Sequence, residues 1–278
     1  MDIAYYNGRF GSYDETCLSL SDRALFFGDG IYDAAVGKGG KIFLLDEHNE
    51  RLYNNAKRLG ILPPVSKEEL NRILLEAIRL SGLSEYFVYL QFSRCKARRT
   101  HSACGAKTSL LVTVTEWIPP LPENRLSLIT TPDLRYEYCD IKTVNLLPAV
   151  MASTLAEERG ADEAVFHRGD TVTECAHSNI SILKDRTLIT HPTGPHILPG
   201  ITRRHLINAA RKLGIKVEER PFTLTELFSA DEVIVSSTTK LILTAKSIDG
   251  IAVGGGDGAT FSLLWAAVCE DFNNFTIN

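Results

Sequence analysis

The chain has 278 residues, of which 44% are hydrophobic and 23% are charged, and its formal net charge is −4. This balance is typical of a globular protein, and the length suits two domains with an interior that can hold a sizeable ligand. Basic residues form no stripe, so we expect no nucleic-acid partner. No apolar run approaches the roughly 20 residues that span a bilayer, so we expect no membrane segment.

The cysteines and the N-terminus bear on the compartment. The first residues lack the charged-then-apolar pattern of a secretory signal, which predicts a cytoplasmic protein. The six cysteines are scattered, without a Cys-x-x-Cys pair or a histidine cluster at zinc spacing. We therefore expect reduced thiols and no metal site.

The first third of the chain alternates between strand and helix patterns. Residues 45–59 and 66–80 predict helices, because apolar side chains recur there at helical spacing. Ser66 is a suitable N-cap for the second helix, with Glu69 three residues later. Short strands are predicted at residues 2–8, 41–45, 86–92 and 109–114.

Three prolines at residues 119, 120 and 122 interrupt this pattern. Proline fixes φ and donates no amide, so neither a helix nor a central strand passes through this stretch. The sequence thus predicts a smaller α/β domain over residues 1–118, a linker over 119–124 and a larger β-rich domain over 125–278. The predicted fold class is α+β.

The second domain combines strands with two helices. Its predicted elements are a strand at 125–130, a helix at 148–159, a meander of strands over 163–190, a helix that opens after Gly200 and runs to about residue 213, and a strand at 232–235. The glycine-rich stretch 253–258 is expected to be a flexible surface turn.

Two side chains stand out as candidates for chemistry. Lys142 lies in an otherwise apolar or small run, and a buried lysine is costly unless it has a partner or a function. It is either a snorkelling lysine on an edge strand, which spacing alone favours, or a desolvated amine suited to Schiff-base chemistry. Glu174 lies on a strand of the meander, where spacing alone allows a solvent-facing position.

Three further segments are suited to binding anions. Gly200 directly precedes a helix, whose first amides can bind an anion, and residues 235–240 contain four consecutive hydroxyl side chains. Each of these patterns is common by itself. The basic segment 94–101 is either a solvated loop or a trap for a carboxylate, which guanidinium groups bind bidentately.

The same segments occur together in one enzyme family. The chain resembles the fold-type IV pyridoxal-phosphate enzymes, and among them the bacterial D-amino acid aminotransferases, from Tyr5 to about Asp249. The matching stretches are FGDGIYD (27–33), EHNERLYNNAKRL (47–59), DIKTVNLLPAV (140–150), VTECAHSN (172–179), HPTGPHILPGITR (191–203) and VSSTTK (235–240).

The resemblance implies a role for each matching residue. Lys142 is similar to the lysine that forms the Schiff base with pyridoxal 5'-phosphate, and Glu174 to the carboxylate at the pyridine nitrogen. The implied phosphate ligands are Arg51, Ile201, Thr202 and Thr238. Tyr32, Arg99 and His101 match the residues that bind the substrate carboxylate; in this family the arginine and histidine come from the neighbouring subunit, which implies a homodimer.

These roles imply a ping-pong transamination. The carboxylate keeps the ring nitrogen protonated, so that the ring accepts electrons when the substrate Cα–H bond breaks, and the released lysine moves that proton. The implied reaction transfers the amino group of a D-amino acid, D-alanine in first place, to a keto acid such as 2-oxoglutarate.

Three positions depart from the family pattern and bear on the substrate. Arg98 stands where the D-aminotransferases have proline, and the added charge favours dicarboxylate substrates. His177 replaces a small hydroxyl residue, and Lys240 lies near the expected substrate side, where it repels or recruits charge.

Several alternatives remain open at this point. A branched-chain L-aminotransferase shares the cofactor residues, and Arg99 and His101 favour the D-enzyme over it. Aminodeoxychorismate lyase uses the same scaffold. A binding protein without activity is disfavoured, because the chain has both Lys142 and Glu174.

Overall fold

The computed structural model describes residues 1–95, 97, 99–103 and 105–277. Arg98, which the sequence analysis connects with dicarboxylate substrates, lies outside the described residues. The chain divides into two compact units. The first comprises Met1–Pro119, Ile141–Asn145 and the last residues from Phe275, and the second comprises Pro120–Asp140 and Leu146–Asn274. The segment around Lys142 therefore belongs to the first unit.

Helices and strands alternate along the chain. The strands are β1 (Ile3–Tyr6), β2 (Arg9–Ser12), β3 (Gly30–Lys38), β4 (Lys41–Ile42), β5 (Glu85–Cys95), β6 (Lys107–Glu116), β7 (Leu126–Pro132), β8 (Glu163–Arg168), β9 (Thr171–Cys175), β10 (Asn179–Lys184), β11 (Thr187–Thr190), β12 (Lys216–Glu219), β13 (Phe222–Thr223), β14 (Glu232–Ser237), β15 (Leu241–Ile248) and β16 (Ile251–Ala252). The helices are α1 (Ala24–Phe27), α2 (Leu45–Leu59), α3 (Lys67–Ser81), α4 (Leu147–Glu158), α5 (Ile201–Lys212), α6 (Leu224–Phe228) and α7 (Gly258–Ile277).

The first unit is built on a six-stranded sheet in the order β2-β1-β6-β5-β3-β4. All of its paired strands are antiparallel. Helices α2 and α3 contribute Leu52, Leu70 and Leu74 to a core shared with Val88 and Val112 of the central strands. The predicted cap is confirmed, since the Ser66 side chain accepts the amide of Glu69 at 3.2 Å.

The second unit is built on a larger sheet in the order β12-β11-β10-β14-β15-β7-β8-β9-β13, with β16 paired to β15. Parallel pairing joins β7 to β8 and β15, whereas β8–β9 and β10–β11 are antiparallel hairpins. The single meander predicted over 163–190 is wrong, because β14, β15 and β7 lie between the two hairpins in the sheet. Helix α5 packs Leu206 and Ile207 onto Ile234 and Ile242 of one sheet face, together with Leu264 of α7. The predicted α+β class is confirmed.

Several sequence predictions need correction. Strand β3 and helix α7 were not predicted, and the strand expected at 41–45 ends at Ile42 because α2 begins at Leu45. The glycine stretch 253–258 is not a simple surface turn. Val253 is buried, and the amide of Gly255 donates to the buried Glu232 carboxylate at 2.8 Å. The stretch is thus hydrogen-bonded to β14 and leads into α7.

The described part of the chain also bears on compartment and metals. None of its helices is long and apolar enough to cross a membrane. Its five cysteines are free thiols: Cys17, Cys95, Cys139, Cys175 and Cys269. No group of three or more histidine, cysteine or carboxylate side chains is arranged there to hold a metal ion.

Candidate active site

Lys142 lies in an irregular segment, not on the edge strand that spacing alone suggests. The segment runs beside the start of β3, where the amide of Tyr32 donates to the Lys142 carbonyl at 2.9 Å and the amide of Val144 donates to Gly30 at 3.1 Å. Thr143 forms an isolated antiparallel bridge with Ile31. These backbone bonds fix the position of Lys142 through its neighbours on both sides.

Gly28, the first glycine of the FGDG motif, holds the end of this segment at Asn145. Asn145 donates from Nδ2 to the Gly28 carbonyl at 2.8 Å. Gly28 has φ +58°, and a Cβ there would lie 2.5 Å from Asn145 Oδ1, so both the backbone conformation and the close approach require glycine. The FGDG motif therefore shapes the loop that carries Lys142.

The side chain of Lys142 lies over an aromatic ring. Its Nζ is 4.4 Å from the centroid of Tyr32, and the Tyr32 ring stacks on Tyr89 at 5.4 Å. A cation over an aromatic face is attracted by the ring quadrupole. The structure thus brings together two of the predicted site residues, the lysine and a tyrosine of the predicted carboxylate trap.

Arg51, on α2, is held by a buried carboxylate. Its Nε and Nη2 each donate to Asp33 at 2.8 Å, and Nδ1 of His48 lies 2.7 Å from the same carboxylate. Asp33 has no exposed surface. Burial favours the neutral acid, but the charge of Arg51 and then His48 outweigh it and hold the pKa of Asp33 below its ordinary range.

Arg99 and His101 lie in the loop after β5, as predicted, and both are exposed. The Arg99 guanidinium is 5.5 Å from the Phe27 ring, and the His101 ring is 5.5 Å from it. Buried Arg23 holds this loop by donating to the carbonyls of Thr100 and His101 at 2.5 and 3.1 Å. The loop thus packs on α1, whereas Tyr32 packs on Tyr89.

Glu174, on β9, is buried and accepts hydrogen bonds from several described donors. Nη1 of Arg135 donates to Oε1 at 2.5 Å, and Nδ2 of Asn179 and the amide of Leu198 donate to Oε2 at 2.9 and 3.0 Å. The solvent-facing alternative is therefore wrong. Hydrogen bonds of this kind favour the charged form of a carboxylate.

A second carboxylate holds Arg135 in place. Asp133 accepts from Nε and Nη2 of Arg135 at 2.9 and 3.0 Å. Burial disfavours the charge of Arg135, but the hydrogen bonds to Asp133 and the charge of Glu174 outweigh it and raise its pKa. Burial favours the neutral form of Asp133, but its hydrogen bonds to Arg135 and then Arg168 outweigh burial and lower its pKa. Asp133 and Arg135 therefore both stay charged.

The start of α5 packs closely against this cluster. Asn179, which donates to Glu174, also donates to the Leu198 carbonyl at 2.9 Å. A Cβ at Gly200 would lie 1.9 Å from Asn179 Oδ1, so only glycine lets the helix begin so near. Ile201 and Thr202 are buried in a first turn that contains no acidic residue. Its positive end is thus left for another anion.

The hydroxyl-rich segment continues β14 into a turn. Thr238 follows this strand, and Ser236 pairs with Asn179 across the β10–β14 ladder. Ser236 Oγ is buried and has no hydrogen-bond partner within the described residues. A buried hydroxyl without a partner is unusual in a folded protein and is consistent with a polar ligand at this end of the sheet.

Sequence reasoning missed four residues that support the predicted ones. Asp33 and His48 had a signal: His48 precedes Arg51 by three residues on α2 and therefore shares its face. Asp33 lies within the FGDGIYD stretch. Asp133 and Arg135 had no signal, because their role depends on the contact between Arg135 and Glu174, which are 39 positions apart.

Comparison with known proteins shows the family. The model of the family described as amino-transferase class IV matches residues 30–248. The chain belongs to the class IV aminotransferases. The predicted resemblance to fold-type IV pyridoxal-phosphate enzymes is thereby confirmed, and with it the aminotransferase activity and the cofactor.

Relatives with curated names cover nearly the whole chain. A D-alanine aminotransferase of Listeria monocytogenes is 38% identical over 256 residues, 90% of this chain and 89% of its own length. A D-alanine aminotransferase of Bacillus licheniformis is 38% identical over 255 residues, 90% of each chain. The solved branched-chain aminotransferase of Thermoproteus uzoniensis shares the fold, with a TM-score of 0.89, 24% identity and coverage of 98% and 96%.

Proposed function

We propose that the protein transfers the amino group of a D-amino acid, D-alanine in the first place, to a 2-oxo acid such as 2-oxoglutarate. The observation that carries this proposal is the buried, hydrogen-bonded Glu174, because an ionised carboxylate is the partner that a pyridinium nitrogen requires. The substrate is inferred from the relatives named D-alanine aminotransferases.

We propose that the second unit holds the phosphate and the ring nitrogen of pyridoxal 5'-phosphate. The phosphate would be held by the amides and hydroxyl of Ile201 and Thr202 at the start of α5 and by Thr238. The orphaned Ser236 hydroxyl and the close approach at Gly200 are consistent with a polar ligand there. Glu174 would hold the proton on the ring nitrogen.

The first unit would supply the amine and a cation that binds the phosphate. Lys142 would carry the cofactor covalently through Nζ, and Arg51, oriented by Asp33 and His48, would bind the phosphate. When bound, the cofactor supplies an electron-accepting ring to the substrate. The Lys142 amine would accept the proton of the substrate Cα and return it at the cofactor carbon, a general acid–base role.

Tyr32, Arg99 and His101 would bind the substrate carboxylate, with the arginine and histidine contributed by a second copy of the chain. Exposure of both residues and their packing on Phe27 leave them accessible to such a partner. Guanidinium and carboxylate form bidentate hydrogen bonds, which would fix the orientation of the substrate.

The proposed homodimer has a candidate contact surface on α4. Leu147, Val150 and Met151 expose 70%, 55% and 59% of their surface, although the same helix buries Ala149 and Ala152. Exposed apolar patches of this kind mark contact sites. Light scattering on Met151→Glu should show a monomer, with wild type as a dimer; an unchanged dimer would exclude this surface.

The protein is proposed to act in the cytoplasm, where thiols stay reduced. Its five described free cysteines, two of them buried, agree with such a compartment. Cell fractionation tests this: recovery of the protein in an oxidising compartment would contradict it.

The assay of the proposed activity compares three substrates. Purified enzyme with pyridoxal 5'-phosphate should form D-glutamate and pyruvate from D-alanine and 2-oxoglutarate. L-Leucine with the same acceptor and aminodeoxychorismate alone should react far more slowly. Activity confined to L-leucine would make the protein a branched-chain enzyme, and pyruvate from aminodeoxychorismate without an acceptor would make it a lyase.

A further inference from the structure

A charged cluster in the second unit joins two of the departures from the family pattern. Glu163, at the start of β8, has no exposed surface, and its Oε2 lies 3.0 Å from Nζ of Lys240. Its Oε1 accepts the amide of His177 at 3.0 Å, and its Oε2 accepts Oγ of Ser178, also at 3.0 Å. One buried carboxylate therefore binds two separate turns.

The protonation of His177 follows from its neighbours. Its Nε2 lies 2.8 Å from Nζ of Lys240, and an ammonium only donates, so Nε2 is the acceptor. The ring proton of the neutral imidazole is then on Nδ1, which lies 3.3 Å from Glu163 Oε1. His177 is thus a neutral bridge between the two charged side chains.

These contacts determine what the charge of Lys240 does. A buried carboxylate without a cation is costly, and among the described residues Lys240 supplies a cation within 4 Å of Glu163. Its side chain is only 17% exposed. The ammonium therefore compensates the charge of Glu163. Because Lys240 is engaged in this ion pair, it is poorly placed to bind the carboxylate of a substrate.

Each of the two turns lies next to a proposed cofactor ligand. His177 and Ser178 lie three and four residues after Glu174, which is near the end of β9. The turn is closed by the amide of Cys175, which donates to the Ser178 carbonyl at 2.8 Å. Lys240 is two residues after Thr238, in the turn between β14 and β15. The ion pair of Lys240 and Glu163 thus connects the turn after Glu174, the proposed ring-nitrogen ligand, with the turn that contains Thr238, a proposed phosphate ligand.

We propose that Lys240 is a positioning residue: its ion pair with Glu163, bridged by His177, sets the spacing of Glu174 and Thr238 for the cofactor. This inference rests on the proposed function. It also predicts that Lys240 does not select substrates by charge, because a lysine that positions the cofactor ligands affects neutral and acidic substrates alike.

The test is Lys240→Met, with Lys184→Met as the matched control. Lys184 also forms an ion pair in the second unit, with Asp231 at 3.2 Å, at the far end of β10. In Lys240→Met the dissociation constant of pyridoxal 5'-phosphate should rise roughly tenfold and kcat should fall between about 10-fold and 100-fold. Lys184→Met should match wild type in both, and Lys240→Arg should recover most of the loss.

The substrate profile separates positioning from substrate recognition. Lys240→Met should lower kcat/KM for D-alanine and D-aspartate by the same factor. A loss confined to D-aspartate, or cofactor affinity equal to that of Lys184→Met, would overturn the proposal. If Lys240→Met fails to fold, Glu163→Gln/Lys240→Met leaves no uncompensated charge and should still bind the cofactor weakly; wild-type affinity there would overturn it too.

Failure of the proposed function gives a different result. If wild-type protein takes up no pyridoxal 5'-phosphate, the proposed function is wrong. If wild type binds it and Lys240→Met binds it equally well, only the positioning role is wrong.

Discussion

Two arginine–carboxylate clusters, one in each unit, have opposite arrangements. In the first unit, Asp33 is the buried support and Arg51 is the residue proposed to contact the cofactor. In the second unit, Arg135 is the support and Glu174 is the proposed contact. Each proposed ligand is thus paired with the opposite charge within its own unit. The supporting partner orients the ligand before a cofactor binds, so each ligand is preorganised.

The largest expected effect comes from removing the charge of the ligand in the second cluster. Glu174→Gln retains the shape of the side chain but cannot stabilise a proton on the ring nitrogen. We expect kcat to fall by roughly 10²–10³-fold. The melting temperature should change little, because Arg135 keeps its bonds to Asp133. Steady-state kinetics with D-alanine and calorimetry measure both; near-normal kcat would remove Glu174 from its role.

In the first cluster, replacing the carboxylate by an amide should lower the free energy of unfolding. Asp33→Asn removes a charged partner of the nearly buried Arg51, a change that costs about 3–5 kcal/mol of unfolding free energy. Urea unfolding of wild type and variant measures this difference. A loss below about 1 kcal/mol would show that the cluster is not the support we describe.

The same pair gives a pH test with a definite sign. Because the folded pKa of Asp33 is lowered, its contribution is complete above the unfolded pKa of about 4 and is lost as the pH falls towards the folded value. The difference in unfolding free energy between wild type and Asp33→Asn should therefore shrink as the pH is lowered from about 5 to about 2, a range that includes the unfolded pKa. A difference that grows on acidification would contradict the assignment.

A smaller effect is expected from a cation whose described neighbours are aromatic. Arg99 packs on Phe26 and Phe27 at 5.7 and 5.5 Å, unlike the carboxylate-bound Arg51 and Arg135. Arg99→Ala removes a charge-assisted bond to the substrate, worth about 1.5–3 kcal/mol. KM for D-alanine should rise roughly tenfold or more, with unfolding unaffected. An unchanged KM would exclude Arg99 from the carboxylate trap.

The sequence predicted local features well and long-range partners poorly. Helix α2, the cap at Ser66 and the start of α5 after Gly200 followed from periodicity and neighbouring residues. Strand β3 was missed because its glycines and Asp33 weaken the strand pattern, although its burial is nearly continuous. Helix α7 was missed because it follows a glycine-rich stretch.

For the site, the resemblance supplied candidate residues, and the structure supplied their neighbours. Spacing alone favoured an edge strand for Lys142, since nothing in its own run indicates that it would lie against β3 beside Tyr32. The pairing of Arg135 with Glu174 and of Lys240 with Glu163 joins residues 39 and 77 positions apart. Such pairs depend on the completed sheet, so no local pattern predicts them.

The central claim, that Lys142 carries the cofactor, is tested most directly by borohydride reduction of the protein with pyridoxal 5'-phosphate, followed by peptide mapping. We predict one phosphopyridoxyl group per chain, on Lys142, and none on that peptide in Lys142→Ala, which should also lose transamination. Modification of a different lysine in wild type, or near-normal turnover of Lys142→Ala, would contradict the account.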